Sequence, residues 1–311
     1  MNKKIIFMGT PEFAVKPLTS LHESDKIDIA LVITGKDKKR SRNKYEPTPV
    51  KIKAVELGIP TYEPEDVNSE ESLRIIDDIN PDFIVVIAYG QMIKNHLLSR
   101  YKDRIINIHS SLLPKYRGAA PMQFAILNKE KETGVCSMLI EKNMDTGDVL
   151  NCRKISLDEN SNIEFVHEKL SILAGDLIVD TILNYEKLYN SRMVQNHEEA
   201  TYSGKITKDM GHISFFDLSE DIQAKIMAFS SWPGTFAIYK DANIKIHNIS
   251  TIEKYNDVEE GKIFAVNNEG IYVNSKDKCI IIKEIQFPGK KRMSVSQFLL
   301  GNNIEIGEIF K

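Results

Sequence analysis

Cysteine is scarce in this chain, and long apolar runs are missing. Only three cysteines occur among the 311 residues, at positions 136, 152 and 279, and no two of them form a C-x-x-C pair. An odd and sparse count of this kind predicts reduced thiols in a cytoplasmic protein. The longest apolar run, FIVVIA at 83–88, falls far short of the ~20 residues that a bilayer requires. The sequence therefore predicts no membrane partner.

Two further absences narrow the chemistry. The first apolar segment, KIIFMG, runs into GTPEF rather than G-x-G-x-x-G, so the dinucleotide fingerprint is missing. Histidine, cysteine and carboxylate residues form no cluster with metal-ligand spacing, and no metal is expected. The net charge is −3, so any contact with nucleic acid must come from a local basic patch rather than from the overall charge.

The first half of the chain alternates apolar runs with amphipathic segments. Strands are predicted at 4–9, 28–34, 82–90 and 104–110, and helices at 11–24, 48–58, 69–80 and 160–188. Strands that alternate with helices indicate right-handed crossovers and a parallel sheet. The sequence therefore predicts an α/β domain with a Rossmann-like parallel sheet.

The second half has a different pattern. Residues 190–206 are polar and aperiodic, which is typical of a linker. Short alternating runs such as IKIHNIS and CIIIKEIQF follow, and their spacing favours a small antiparallel barrel of the OB type. We therefore expect a catalytic domain over 1–189, a linker over 190–206 and a barrel domain over 207–311.

The stretch INIHSSLLPKYRGAAP, residues 106–121, contains the first candidate for chemistry. Asn107 and His109 are two residues apart on a predicted strand, so their side chains point to the same face. They lie near its carboxyl end, where open α/β sheets bind ligands. An amide and an imidazole side by side can donate two hydrogen bonds to one oxyanion, and an imidazole can also move protons. The alternative is a structural histidine beside an asparagine that caps the loop, and the pair alone does not decide between them.

A second segment, EKNMDTGDVL at 141–150, places Asp145 in a glycine-containing turn before a strand. A carboxylate near His109 would fix the tautomer of the imidazole. Because D-x-G is common in ordinary turns, this segment is weak evidence when taken alone.

Taken together, INIHSSLLPKYRG and MDTGDVL resemble the 10-formyltetrahydrofolate-dependent formyltransferases. The segments IIFMGTPEFA, PTPVK, VVIAYGQ, RGAAPMQ, SWP and PGKKRMS extend the similarity over essentially the whole chain. The resemblance implies that Asn107, His109 and Asp145 are catalytic, and that 10-formyltetrahydrofolate is the formyl donor. The residues expected to contact the folate are Ser111, Leu112, Leu113 and Pro114, together with Ile87, Ala88, Tyr89, Gly90 and the backbone near 142–145.

The resemblance is strongest to those members that formylate methionyl-initiator tRNA, and the basic segments fit such an acceptor. GKDKKRSRNK carries six basic residues against one acidic residue between positions 36 and 44, and GKKR at 289–292 is a second basic patch. Cations there would neutralise phosphates of the acceptor stem. The residues expected to contact tRNA are Lys38, Lys39, Arg40, Arg42, Lys290, Lys291 and Arg292.

Two alternatives stay open at this stage. One is formyl transfer to a ribosylamine phosphate or an amino sugar, although the barrel half and the basic loop argue against both acceptors. The other is a noncatalytic RNA-binding protein that kept the fold. The presence of the complete trio of Asn107, His109 and Asp145 argues against it. We expect a monomer, as is usual for the family.

Overall fold

The structure is a computed structural model that describes residues 2–39, 45–255 and 257–311, with Lys38 and Lys39 described as backbone. The chain divides into two compact units. The first unit comprises Met1–Pro121, Glu132–Ser156 and His167–Ser203, and the second comprises Met122–Lys131, Leu157–Val166 and Gly204–Lys311. No helix in the described part of the chain is long and apolar enough to cross a membrane.

A seven-stranded sheet forms the centre of the first unit. The strands of this unit are β1 (Lys3–Gly9), β2 (Ile27–Ile33), β3 (Lys38–Lys39), β4 (Tyr45–Glu46), β5 (Thr61–Tyr62), β6 (Phe83–Ile87), β7 (Ile105–His109), β8 (Arg117–Gly118), β9 (Glu132–Leu139), β10 (Val149–Ser156) and β11 (Tyr202–Ser203). The order in the central sheet is β10-β9-β7-β6-β1-β2-β5. Strands β5, β2, β1, β6 and β7 are parallel, as predicted, whereas β9 and β10 extend the sheet in antiparallel fashion.

Helices lie between the strands of this half of the chain, and the ends of two of them follow local capping chemistry. They are α1 (Val15–His22), α2 (Pro49–Glu56), α3 (Glu70–Ile79), α4 (Asn95–Arg100), α5 (Pro121–Leu127), α6 (Ile163–Leu183) and α7 (Tyr185–Asn190). All of α5 except Pro121, and the first turn of α6, belong to the second unit. Thr48 caps α2 and Ser69 caps α3, each accepting a hydrogen bond from a first-turn N–H. Asn80 ends α3 in the left-handed conformation, with φ of 48°. The predicted helices at 48–58 and 69–80 are therefore confirmed.

The prediction of reduced thiols is wrong for two of the three cysteines. Cys136 of β9 and Cys152 of β10 face each other directly in the antiparallel register and form a disulfide. Cys279 is free and buried. The sequence separation of 16 between the paired cysteines gives no hint of this pairing, because it depends on a hairpin that periodicity did not reveal.

The second unit contains a six-stranded antiparallel sheet. Its elements are α8 (Ser219–Ala228), β12 (Phe236–Tyr239), β13 (Ala242–Glu253), β14 (Ile263–Asn267), β15 (Gly270–Asn274), β16 (Lys278–Gln286), β17 (Met293–Ser294) and α9 (Val295–Leu299). The order is β12-β13-β16-β15-β14, with β17 paired to β16.

The C-terminal segment bridges the two edges of this second sheet. Ile263 exchanges backbone hydrogen bonds with Glu308 and Gly307, and Ile238 of β12 does the same with Lys311. Phe310 lies between these pairings and is 2 % exposed. The tail thereby closes the sheet in a barrel-like way, which accounts for the short alternating runs in this half of the chain.

Residues 190–206, predicted as a linker, behave differently in the structure. Met193 exchanges two backbone hydrogen bonds with Val149 at the start of β10, and β11 pairs with β8 in parallel. Gln195 is buried. These pairings tie the segment into the first unit up to Ser203. The sequence suggested a linker because the segment is polar and has no periodicity. Isolated backbone pairings such as these leave no periodic pattern in a sequence.

Candidate active site

The candidate site is built around the carboxyl end of β7. Asn107 lies beside Val86 of β6 and Met138 of β9, and His109 lies opposite Cys136 of β9. Because the two residues are separated by one strand position, their side chains project from the same face. Asn107 is half-buried, and His109 is 5 % exposed. The pair is therefore placed on one face of the sheet at its carboxyl edge, as the sequence predicted.

The imidazole of His109 is oriented through both of its ring nitrogens. Nε2 lies 2.9 Å from the carbonyl oxygen of Tyr116, and since a carbonyl can only accept, Nε2 donates this hydrogen bond. Nδ1 lies 3.7 Å from Oδ2 of Asp145, which is an ion-pair separation rather than a hydrogen bond. The Tyr116 carbonyl therefore holds the ring, a role that sequence reasoning had given to Asp145.

Asp145 reaches the site from a turn between β9 and β10. Its Oδ2 accepts a hydrogen bond of 2.8 Å from the backbone N–H of Gly118. Its backbone is left-handed, with φ of 54°, a conformation that an aspartate tolerates better than most residues. The structure thus joins the two segments that the sequence singled out, with the carboxylate facing His109.

Gly118 is the position where this arrangement leaves no room for a side chain. Its φ is 118°, and a Cβ placed there would come within 2.3 Å of the carbonyl oxygen of Ser203. The close approach follows from the parallel pairing of β8 with β11. Glycine is therefore required at the residue whose N–H binds Asp145.

Behind the site lies a buried polar network that sequence reasoning missed. Arg117 is 2 % exposed, and its Nε and Nη2 donate to Oε1 of Gln195 over 3.1 and 2.7 Å. Nη2 also donates to Nδ1 of His197 over 3.1 Å. Gln195 in turn donates from Nε2 to the carbonyl oxygens of Asp145 and Gly147, over 3.0 and 2.6 Å. The only sequence signal was a lone glutamine in an aperiodic segment, which carries no information about its partners.

The predicted folate residues after β7 play different parts in the structure. Ser111 is fully buried and donates to the carbonyl oxygen of Lys115 over 2.6 Å, so its hydroxyl closes the loop. Leu113 is buried in a small cluster with Cys136 and Met138, and Leu112 packs against that cluster. Pro114 is half-buried. Leu112 and Pro114 therefore offer the accessible apolar surface of this segment.

The residues after β6 that were predicted to contact the folate differ in their exposure to solvent. Ile87 and Tyr89 are buried, whereas Ala88 and Gly90 are exposed and have positive φ values of 48° and 94°. The Tyr89 hydroxyl has no hydrogen-bond partner in the described part of the chain, and burial raises its pKa. The Tyr89 carbonyl accepts from Thr10. Only the backbone at 88 and 90 is thus presented to solvent.

The predicted tRNA-contacting residues lie in two places. Lys38 and Lys39 form β3, which pairs with β4 in a short hairpin beyond the end of β2, while Arg40 and Arg42 lie outside the described residues. In the second unit, Lys290 and Lys291 are exposed, and their ammonium groups form no ion pair with any described residue. Arg292 instead pairs with Glu284 of β16 through both Nε and Nη2. The second patch therefore presents two exposed lysines whose charge no described carboxylate neutralises.

The trio can bind and stabilise a developing oxyanion and accept a proton. The Asn107 amide makes no hydrogen bond to the described residues, so its N–H groups can donate to an incoming oxygen. Nδ1 of His109 also lacks a partner at hydrogen-bond distance within the described ranges, and it faces the Asp145 carboxylate. Hydrogen-bond donors for an oxyanion and a carboxylate beside an imidazole are the groups that amine attack on a carbonyl requires.

Comparisons with known proteins identify the family of the chain. The formyl transferase family model matches residues 3–182, and the model of the formyl transferase C-terminal domain matches 205–303. A methionyl-tRNA formyltransferase of Finegoldia magna is 47% identical over 309 residues, covering 99% of this chain and 100% of that protein. A methionyl-tRNA formyltransferase of Sulfurihydrogenibium is 39% identical, covering 99% of this chain and 100% of its own length.

Among solved structures, the fold is similar to that of an N-formyltransferase from Helicobacter canadensis, bound to folinic acid and dTDP-3-aminofucose. The TM-score is 0.64 at 20% identity, covering 91% of this chain and 99% of that one. At this identity the likeness concerns the fold alone. The two family matches and the full-length relatives establish that this chain belongs to the formyl transferase family, in the group of the methionyl-tRNA formyltransferases.

Proposed function

We propose that this protein transfers the formyl group of 10-formyltetrahydrofolate to the free amino group of methionyl-initiator tRNA. The observation that carries this proposal is the convergence of Asn107, His109 and Asp145 at the carboxyl edge of the sheet, with Nδ1 of His109 3.7 Å from the Asp145 carboxylate. Relatives similar over their full length that carry the name methionyl-tRNA formyltransferase support the choice of acceptor.

The trio supports transfer through a tetrahedral intermediate. The methionine nitrogen bonds to the formyl carbon, and the Asn107 amide and a protonated His109 Nδ1 donate hydrogen bonds to the oxyanion that forms. Asp145 stabilises the imidazolium and takes part in removing the proton from the attacking amine. As the C–N10 bond breaks, N10 gains a proton. One formamide is thus exchanged for another, with no net change in protons or electrons.

The folate would bind along the carboxyl ends of β6 and β7. The exposed backbone at Ala88 and Gly90 can exchange hydrogen bonds with a pterin ring, and Leu112 and Pro114 can contact its faces. Open α/β sheets bind ligands at this edge. Ser111 and Tyr89 support the pocket from within, since the hydroxyl of Ser111 closes the loop and the Tyr89 ring is buried.

The acceptor stem of the tRNA would contact the basic segments at 36–44 and 289–292. The β3–β4 hairpin begins close to the end of β2, at the same edge of the sheet as the trio, and Lys290 and Lys291 are exposed on the second unit. Cations at these places would neutralise phosphates without reading bases. We also propose that the protein acts in the cytoplasm, because initiator tRNA is charged and used there. We propose a monomer as well, as is usual for the family.

A direct test compares acceptors at a fixed donor concentration. Purified full-length protein is incubated with 10-formyltetrahydrofolate and either methionyl-initiator tRNA, a ribosylamine phosphate or an amino-sugar nucleotide. We expect formylation of the tRNA alone. Faster formylation of either small acceptor would overturn the proposed substrate while leaving the reaction class intact.

Replacing Asp145 with asparagine should slow transfer far more than it weakens folate binding. The amide keeps the shape of the side chain and can still accept from the Gly118 N–H, but it removes the charge that faces His109. The measurement is the single-turnover rate, alongside the Kd of the folate determined by fluorescence. A rate near that of the wild type would remove Asp145 from the proposed trio.

Removing the cations of the first basic segment should make tRNA binding less sensitive to salt. In a variant with Lys38, Lys39, Arg40 and Arg42 replaced by serine, the slope of log affinity against log salt should become shallower by about 0.9 for each duplex phosphate that the protein no longer neutralises. Folate binding should not change. The matched control replaces Lys276 and Lys278, two exposed lysines of the second unit outside the basic patch. Equal slopes in the wild type and the quadruple variant would argue against binding of the stem by this segment.

A further inference from the structure

We infer that Gln195 is a positioning residue that keeps the Asp145 carboxylate facing His109. The inference rests on the proposed function, because it concerns how the proposed trio is assembled. The Gln195 amide lies between two segments that each carry part of the site, the 116–118 segment and the 145–147 turn. The role does not depend on which acceptor is formylated, because it follows from the hydrogen bonds of one buried side chain.

The 145–147 turn needs external support to keep its shape. Asp145 is left-handed without being a glycine, a conformation that persists only when surrounding groups hold it. At Gly147 a Cβ would come within 2.0 Å of the Leu139 carbonyl oxygen, so the turn folds tightly against the end of β9. Gln195 donates to both carbonyls that flank this bend, those of Asp145 and Gly147. Without these donors the Asp145 carboxylate would be held by the Gly118 N–H, and the backbone of the turn by the bond from the Thr146 hydroxyl to the Asn143 carbonyl. We therefore expect the carboxylate to shift relative to His109.

The other end of the same amide is fixed by Arg117. Oε1 of Gln195 accepts from two nitrogens of a guanidinium that is almost fully buried, and no carboxylate lies within ion-pair distance of that guanidinium among residues 2–39, 45–255 and 257–311. Arg117 stands between Tyr116, whose carbonyl orients His109, and Gly118, whose N–H binds Asp145. Gln195 therefore links the backbone that orients the histidine to the turn that presents the carboxylate.

An amide is the one group that satisfies both sides of this link. A carboxylate at position 195 would accept from Arg117 at least as well, but it has no proton to donate to the two carbonyls. A methionine has similar length and no strong donor or acceptor. Gln195→Glu and Gln195→Met therefore separate the anchoring of Arg117 from the support of the turn.

We expect both substitutions to lower kcat, by roughly 10-fold to 100-fold, because a small misplacement of a reacting group has effects of that size. The KM values for 10-formyltetrahydrofolate and methionyl-initiator tRNA should stay close to those of the wild type, as for an interaction that matters in the transition state. If only the burial of Arg117 matters, Gln195→Glu should be fully active, and that result would overturn the inference. Gln195→Glu removes only the donors to the turn, whereas Gln195→Met also removes the acceptor for Arg117. If one variant fails to fold, a wild-type kcat in the other still overturns the inference.

A double-mutant cycle with Asp145→Asn tests whether Gln195 acts through Asp145. In that background, Gln195→Met should change the single-turnover rate little, whereas in the Asn107→Ala background it should retain its full effect. Equal effects in both backgrounds would contradict the inference. Normal activity of Asp145→Asn alone would also contradict it, because Gln195 is inferred to act through Asp145. Failure of the wild-type protein to formylate methionyl-initiator tRNA would instead contradict the proposed function, so the two failures are distinguishable.

Ser72→Ala provides a matched structural control. Ser72 is also fully buried and donates to a loop carbonyl, that of Asp66, over 3.0 Å, but it lies on α3 and makes no contact with the proposed trio. Its replacement should lower the thermal midpoint of the first unit and leave kcat unchanged. A fall in kcat comparable with that of Gln195→Met would show that general destabilisation explains both variants, and the positioning role would be refuted.

Discussion

Replacing His109 with alanine is expected to lower the single-turnover rate of formyl transfer by about 10²- to 10⁴-fold, the range that positioned proton transfer contributes. The substitution removes the imidazole that faces Asp145, and the Tyr116 carbonyl keeps only the longer hydrogen bond from the Ser203 hydroxyl, 3.3 Å. It should also remove one of the two oxyanion donors. The proposed folate contacts come from residues 87–90 and 111–114 rather than from the imidazole itself, so the Kd of the donor should change little.

The measurement for His109 is a quench-flow single turnover with enzyme in excess of methionyl-initiator tRNA. Circular dichroism and a thermal melt serve as controls, since His109 is 5 % exposed and its replacement leaves a gap beside β9. An unfolded variant would say nothing about catalysis, and His109→Gln then replaces it, because the glutamine amide nitrogen takes the place of Nε2 and can still donate to the Tyr116 carbonyl. A folded variant with a normal rate would mean that the histidine is structural.

Replacing Asn107 with alanine is expected to lower the rate by about 10²- to 10³-fold, the usual reduction for one oxyanion donor. Asn107 is half-buried, and its amide makes no hydrogen bond to the described residues. Its removal therefore leaves no donor or acceptor unsatisfied in the described part of the fold. Stability should therefore be almost unchanged. The expected reduction is in kcat, with KM for both substrates preserved, because the donor acts on the charge that develops in the transition state.

Asn107→Asp tests whether the Asn107 side chain acts by donating hydrogen bonds to the oxyanion. The carboxylate has nearly the same shape, but it would repel an oxyanion instead of donating to it. We expect Asn107→Asp to be at least as slow as Asn107→Ala in the same assay. A faster aspartate variant would indicate that the side chain positions the loop rather than stabilising charge.

Much of the site was predictable because it depends on strand parity and sheet topology. Two residues separated by one position on a strand must share a face, and the carboxyl edge of a parallel sheet is common to all its strands. Asn107 and His109 therefore lie where the sequence placed them. Asp145 was harder to predict, because its turn follows β9, an antiparallel strand that the periodicity did not reveal.

What escaped prediction depends on backbone groups and distant pairs. The Tyr116 carbonyl that orients His109 would be present with almost any residue at that position, so its role leaves no trace in the sequence. Arg117 and Gln195 are 78 residues apart, and no local pattern connects them. The polar and aperiodic character of 190–206 was interpreted as a linker, and it gave no indication that Gln195 is buried with both polar atoms of its side chain in hydrogen bonds.

The most direct test of the central claim is a single-turnover measurement of formyl-methionyl-tRNA formation by the full-length protein, with His109→Ala, Asn107→Ala and Asp145→Asn measured in parallel. The account predicts rapid formylation by the wild type, and reductions of about 10²-fold or more for the histidine and asparagine variants with folate affinity retained. Wild-type protein that leaves the amino group unmodified, or variants that all formylate at the wild-type rate, would contradict it.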